Sequence, residues 1–319
     1  MSSSDSKNVQ EIGFILIPGF ALMSYASATE PLRAANLLAG REIYRLSIFS
    51  PDGAPALSSS GVIVPAEPLP ARGSGLGTAF VCAGGLPREW RYPGVLGCLR
   101  QLSREGVRIG GISGGPYLMA AAGLLEGRDF TIHWEYAAAL LEAFPDLTPR
   151  QARFMIDGSR ITCGGGISAL DMMHVLIAER MGPDFARRVS DWYLHTEVNE
   201  PAAPQRASLA ERYGVHHPGL LNVLERMEET IEMPLGRAAM ARIAGVTTRH
   251  LDRLFAAHLG TTFLDQYHRI RLQHAHRLLK QSPLSVSEIA VATGFSSLSH
   301  FSRMFRAAYG IAPREARRE

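Results

Sequence analysis

Two periodicities divide this chain. Up to about residue 180, short apolar runs alternate with stretches of helical spacing. Ile12–Ile17 (IGFILI) reads as a buried strand and Leu22–Leu38 as a helix, while Tyr44–Ser50 and Ala79–Cys82 read as further strands. A helix over Val95–Arg104 leads into a strand over Val107–Ile112. Gly-rich turns at Gly84-Gly85, Gly114-Gly115 and Gly164-Gly165-Gly166 separate these elements, the pattern of parallel βαβ units. In such a sheet a ligand is expected at the carboxyl ends of the strands. After Asn199 the segment NEPAAPQRAS reads as a linker, and beyond it no strand signal survives. Leu220–Ile231, Arg237–Ile243, Thr248–Leu259, Phe263–Gln281, Val286–Ala292 and Leu298–Tyr309 all have helical spacing. The spacing therefore predicts an α/β domain over 1–198, a linker over 199–214 and an all-α domain over 215–319.

Composition narrows the class. A chain of 319 residues, 46% hydrophobic and 20% charged, is globular and long enough for two domains. No apolar run approaches the roughly 20 residues that cross a bilayer. The N-terminal MSSSDSKNVQ is polar and has no signal-like apolar region, so a cytoplasmic protein with no membrane partner is expected. Cys82, Cys98 and Cys163 form no CxxC, which argues against a disulfide framework or a cysteine-rich zinc site. No cofactor and no metal are expected. Charge is uneven: residues 1–200 hold 17 Lys/Arg against 20 Asp/Glu, whereas residues 236–319 hold 13 against 5. A basic C-terminal third suits a polyanionic partner, and a solvated Arg-rich face is the alternative.

That basic third repeats itself. At an offset of 50 residues His250, Arg253, Phe255, Ala257 and Gly260 recur as His300, Arg303, Phe305, Ala307 and Gly310. Each copy reads as a short helix, a turn containing Gly245 or Gly294, and a second helix capped by Thr247 or Ser296. This is the helix-turn-helix pattern written twice. Leu251, Leu254 and Phe255, and in the second copy Phe301, Met304 and Phe305, share the anchoring face. The opposite face offers Thr248, Arg249, Asp252 and Arg253, then Leu298, Ser299, Ser302 and Arg303, as candidate readers of DNA. His250 and His300 lack a second ligand at i+4, so they pack or cap rather than hold metal.

Over residues 218–314 the chain resembles the AraC/XylS family of transcription regulators. The resemblance is carried by RAAMARIAGVTTRHLDRLFAAHLG, RIRLQHAHRLL and SVSEIAVATGFSSLSHFSRMFRAAYGIAP. It implies two helix-turn-helix units joined by the long helix Phe263–Gln281, with both recognition helices in successive major grooves. One departure is Ala316 before Arg317, where such families carry an aromatic residue.

In the first domain Gly111-Ile112-Ser113-Gly114-Gly115 fits G-x-S-x-G, a sharp strand-to-helix turn that presents a serine. Catalysis at Ser113 requires a base and an orienting group, and His133 with Asp129 nearby is the candidate pair. The motif is short, and Gly-rich chains produce it easily. The wider segment, including AGLLEGRDFTIHWE and DGSRITCGGGISALDMM, resembles the class I glutamine-amidotransferase-like superfamily over residues 10–195. That resemblance implies a flavodoxin-like α/β fold, with Ser113 where a cysteine usually stands and Glu30 and His133 near two other site positions.

The combination resembles the GlxA-like regulators, and ATEPLRAANLLAGREIYRLSIFSPDG with TIHWE resembles most the subgroup sensing glycine betaine, carnitine and related compounds. The resemblance implies an enzyme fold reused as a sensor, with Glu30, Ser113, His133 and Trp134 around the effector. The function expected is a sequence-specific, non-enzymatic activator of a catabolic operon, acting with RNA polymerase as a homodimer on an operator. Two alternatives stand beside it: a bifunctional protein with amidase or esterase activity at Ser113, and an architectural DNA-binding protein whose first domain only dimerises.

Overall fold

The computed structural model describes residues 9–318, and the chain separates into two compact units, Met1–Gln205 and Arg206–Glu319. The first unit opens with strand β1 (Gln10–Leu16), helix α1 (Leu22–Ala39) and strand β2 (Tyr44–Phe49). A two-stranded ribbon follows, β3 (Ala56–Leu57) with β4 (Ile63–Val64), then β5 (Thr78–Ala83), α2 (Pro93–Arg104) and β6 (Arg108–Ser113). Helices α3 (Gly115–Ala121) and α4 (Ala137–Ala143) precede β7 (Phe154–Asp157) and β8 (Arg160–Cys163), and α5 (Ser168–Met181) and α6 (Pro183–Trp192) complete the unit. The sheet order is β2-β1-β5-β6-β8-β7.

Residue alternation explains the layers. Phe14 and Leu16 of β1 enter one core with Phe80, Ile112, Met172 and Met173, under α1, α5 and α6. Ile15 and Ile17 enter the opposite core with Val81, Leu99, Ile109 and Met119, under α2 and α3. With both faces covered, β5 is buried at every position. One expectation needs refining. The sheet is mixed, because β7 runs antiparallel to β8. Only Gly158 and Ser159 lie between these strands, too few for the crossover a parallel pair needs. Their short runs carry no periodicity that distinguishes them from loop.

The segment expected as a linker, 199–214, is not bare chain. Asn199 N–H donates to Asp171 at 2.9 Å, and Arg153 N–H donates to the carbonyls of Pro201 and Ala203, each at 3.0 Å. From Leu209 it is helical: α7 (Leu209–Tyr213) begins at a capping box between Ser208 and Glu211.

The second unit continues with α8 (Pro218–Glu229), α9 (Arg237–Ile243), α10 (Thr248–Leu259), α11 (Phe263–Gln281), α12 (Val286–Ala292), α13 (Leu298–Tyr309) and α14 (Pro313–Ala316). Thr247 caps α10 as expected, accepting from His250 N–H at 3.2 Å. The second cap is Ser297, which accepts from His300 N–H at 3.1 Å, and not Ser296. The reason is the 50-residue register itself, which aligns Thr247 with Ser297. Gly294 combines a φ of 72° with a close approach, since a Cβ there would lie 2.6 Å from the Ile231 carbonyl.

Helix α11 pins both halves. Tyr267 Oη donates to the Thr230 carbonyl at 2.8 Å, before the first motif. Arg271 Nε donates to the Thr293 carbonyl at 2.7 Å, and its guanidinium lies 4.1 Å from the Phe295 ring centroid, at the second turn. Ala316, where an aromatic residue was expected, is fully buried.

Candidate effector crevice and DNA interface

Ser113 ends β6 in the left-handed region, with φ 60°. A serine held there is strained, and such strain persists only where the surroundings over-determine it. Its carbonyl accepts from His133 N–H at 3.2 Å, and the next amide, Gly114 N–H, donates to Ala83 at 3.0 Å. Gly165 approaches from the 164–166 turn, where a Cβ would lie 2.8 Å from Ser113 Cβ and 2.7 Å from Ser24 Oγ. Ser24 is buried and accepts from Gly166 N–H at 2.7 Å. The structure thus places two serine side chains, Ser24 and Ser113, on either side of one glycine at the carboxyl end of the sheet.

His133 and Trp134 follow Thr131 in a loop tied to this point. His133 Nδ1 accepts from Glu135 N–H at 3.3 Å, and burial holds its imidazole below the ordinary pKa, with Glu135 opposing. The ring is therefore neutral near pH 7. It packs against Trp134 and Tyr136 at centroid distances of 5.4 and 5.7 Å. Trp134 is 39% exposed. Glu30 lies six residues beyond Ser24 on α1, where Arg33 meets it at 2.7 Å and Tyr193 Oη donates to it at 3.1 Å. The hydrogen bond from Arg33 holds the Glu30 carboxyl below its usual pKa. So Ser113 and His133 come together, Trp134 adjoins them, and Glu30 is taken up by Arg33 and Tyr193. Ser24 carried no motif that sequence reasoning recognises.

Among the described residues, no hydrogen bond joins Ser113 Oγ to His133, and Asp129 pairs with Arg150 at 2.8 Å instead of orienting His133. The three thiols are all buried. Burial pushes Cys98 and Cys163 up to about 11 and Cys82 higher still, so none is a thiolate at neutral pH. His174 and His195 belong elsewhere, bonded at 2.8 Å to Ser190 and to the buried Asp171. Among the described residues, no three His, Cys, Asp or Glu side chains cluster as a metal site.

One further residue fastens the loop bearing His133 and Trp134. The Gln205 carboxamide donates to Thr131 Oγ1 at 2.9 Å and faces the carbonyls of Ile132 and Ala152 at 2.9 and 2.6 Å. Its Oε1 accepts from Trp134 N–H at 2.8 Å. Gly164 makes room, since a Cβ there would lie 2.7 Å from the carboxamide carbon. Nothing local in PAAPQRAS signals this role.

In the second unit Leu251, Phe255, Phe301 and Phe305 are fully buried, Leu254 is nearly so, and Met304 is half-buried. On the other face Arg249, Arg253, Leu298, Ser299 and Arg303 are exposed, and Thr248, Asp252 and Ser302 half-buried. Asp252 is braced by Arg237 at 3.1 Å, and Arg253 approaches His250 Nδ1 at 3.4 Å. His300 packs on Phe295, with ring centroids 5.8 Å apart. A concavity of about 710 Å³ is lined by Leu298, Ser302, Arg303, Arg306 and Arg314 among others. Arg306 and Arg314 were not anticipated, because the first copy has Ala256 at the position of Arg306. Exposed guanidinium groups along a recognition helix suit phosphate and guanine alike.

Comparison with known proteins agrees with this geometry. A helix-turn-helix domain model matches residues 240–319. The HTH-type transcriptional regulator GlxA of Rhizobium meliloti (strain 1021) is 62% identical over 318 residues, 99% of this chain and 98% of that protein. The regulator CdhR of Pseudomonas aeruginosa is 41% identical, over 97% of this chain and 91% of its own. The crystal structure of an AraC family regulator from Pseudomonas putida aligns with a TM-score of 0.54 at 29% identity, covering 58% of this chain and 99% of that one. The chain belongs to the AraC-type helix-turn-helix transcription regulators of the GlxA kind, with an α/β domain ahead of the DNA-binding domain.

Proposed function

We propose that this regulator is a cytoplasmic, effector-responsive activator of a catabolic operon, binding paired operator sites as a homodimer and working through RNA polymerase. The effector is a small zwitterion of the quaternary ammonium or amino-acid type. The observation that carries this reading is the surroundings of Ser113. A strained strand-to-helix turn stands beside the loop bearing His133, which burial keeps neutral, and a half-open Trp134, and among the described residues no hydrogen bond joins Ser113 Oγ to His133. The exposed indole offers a π-face to a cationic head, and the hydroxyls of Ser24 and Ser113 offer hydrogen bonds to a carboxylate. Glu30, neutralised by Arg33, takes no part in this reading. A melting-temperature screen of glycine betaine, carnitine and amino-acid derivatives tests it, because a ligand of the folded state raises stability by mass action. A rise with at least one compound, lost or reduced in Trp134→Leu, is expected. No shift with any member of the class would remove the zwitterion assignment.

The second reading, a hydrolase, rests on the left-handed Ser113 alone. Turnover of small amides or esters that Ser113→Ala abolishes would establish it.

A further inference from the structure

We propose that Gln205 is the latch through which the crevice controls the DNA-binding unit. The inference rests on the crevice being the effector site. Gln205 is the last residue of the first unit, and Arg206 begins the second. Its carboxamide is not a surface group. It meets the Thr131 hydroxyl, the Ile132 and Ala152 carbonyls and the Trp134 amide, all within 2.6–2.9 Å. The slot is completed by Gly164, next to the Gly165 that abuts Ser113. One side chain therefore joins three things: the loop bearing His133 and Trp134, the glycine turn against Ser113, and the chain leading out to the second unit.

The preceding residues are fastened just as firmly. Asp171, fully buried, accepts from Asn199 N–H at 2.9 Å and pairs with Arg153 at 2.8 Å, while Arg153 N–H holds the Pro201 and Ala203 carbonyls. Asn199, Pro201, Ala203 and Gln205 thus make four successive attachments across a segment with no secondary structure of its own. The attachment at Gln205 is the one that touches the loop bearing His133 and Trp134. A ligand that moves Thr131–Trp134 breaks the Gln205 bonds at once, because both the donor and the acceptor ends of the carboxamide are spent on that loop and on Ala152. Release lengthens the free tether before Arg206 and changes what positions the second unit can reach. The four Gln205 bonds hold the latch closed, and effector binding opens it.

The test uses the full-length protein as wild type, Gln205→Ala and Gln205→Glu. The glutamate keeps the length but turns an acceptor toward the two carbonyls. Amide hydrogen exchange of residues 131–134 and 199–206 is expected to speed up at least tenfold in both variants, with β5 and β6 unchanged. In a reporter driven by the regulator's own upstream DNA, output without effector is expected to rise at least fivefold, at DNA affinity within twofold of wild type. Unchanged exchange would overturn the latch, and so would faster exchange with unaltered reporter output. A wild-type protein that failed to bind the DNA would overturn the functional reading instead, and the exchange measurement would still decide whether Gln205 clamps the loop.

Discussion

Gly165 and Ser113 are packed so closely that no side chain fits between them: a Cβ on Gly165 would lie 2.8 Å from Ser113 Cβ and 3.1 Å from its Cα. Gly165 also has a φ of 85°. Gly165→Ala must therefore both adopt an unfavourable backbone and push the elbow aside. We expect it to destabilise the first unit by about 2–4 kcal/mol, while the transition of the second unit stays in place. Urea unfolding followed separately in the two units checks this, and an unchanged midpoint for the first would show that the turn yields cheaply.

Arg253 and Arg303 occupy equivalent, exposed positions on α10 and α13. Replacing either by Ala is expected to weaken binding to the cognate operator by about 1–3 kcal/mol and to relax specificity at one base pair. Arg306→Ala and Arg314→Ala should instead weaken all sequences alike and lower the salt slope by about one each. Titrations on operator and random DNA at several salt concentrations separate the two classes. An unchanged specificity ratio in both Arg253→Ala and Arg303→Ala would remove base reading from these residues.

Ser113→Ala is expected to leave operator affinity within about twofold of wild type, well under the 1.4 kcal/mol that a tenfold change represents. Wild type should form no adduct with an acylating or phosphonylating probe. Mass spectrometry of the treated protein decides this, and stoichiometric labelling of Ser113 would reverse the reading.

His274 lies within α11, where burial and Arg277 lower its pKa to about 4. Its Nδ1 faces the Arg277 guanidinium at 3.3 Å, an arrangement open only to the neutral ring. Because the folded value lies below the ordinary value near 6.5, the unfolded chain takes up the proton first. The contribution is complete above about pH 7 and is lost as pH falls from about 6.5 toward 4, a change of up to about 3 kcal/mol. His274→Gln should flatten that part of the stability profile of the second unit. Denaturant midpoints between pH 7 and 4.5 measure it, and identical slopes would show that His274 carries no such linkage.

The second unit was legible almost residue by residue. Five helices, Arg237–Ile243 through Leu298–Tyr309, end where their spacing places them, because each buries one stripe against local partners and is stopped by Gly or a capping hydroxyl. The helix expected over Leu220–Ile231 runs instead from Pro218 to Glu229, started by Pro218 at its first position, and the second cap is Ser297 in place of Ser296, since only φ/ψ and the reach to His300 N–H distinguish adjacent serines. The parallel part of the first unit was equally open to period and turn chemistry. The β7–β8 hairpin was not, since strands of four residues carry too little pattern.

The chain's own order of residues determined that there would be a doubly covered sheet, a strained serine at the end of β6 and two copies of a DNA-reading motif. These are matters of periodicity, glycine placement and repetition, which act over a few residues. Tertiary structure alone decided that Ser24 would share the Gly165 contact with Ser113, through the approach of the 164–166 turn, and that Glu30 on the same helix would meet Arg33 and Tyr193. It likewise decided that Gln205 would leave solvent for a slot among Thr131, Ala152 and Gly164. A glutamine in a Pro/Ala-rich stretch has no local reason to be buried. Its reason is the Ile132 and Ala152 carbonyls, the Thr131 hydroxyl and the Trp134 amide, contributed by residues 53 to 74 positions away, which exist as a site only once the sheet has formed.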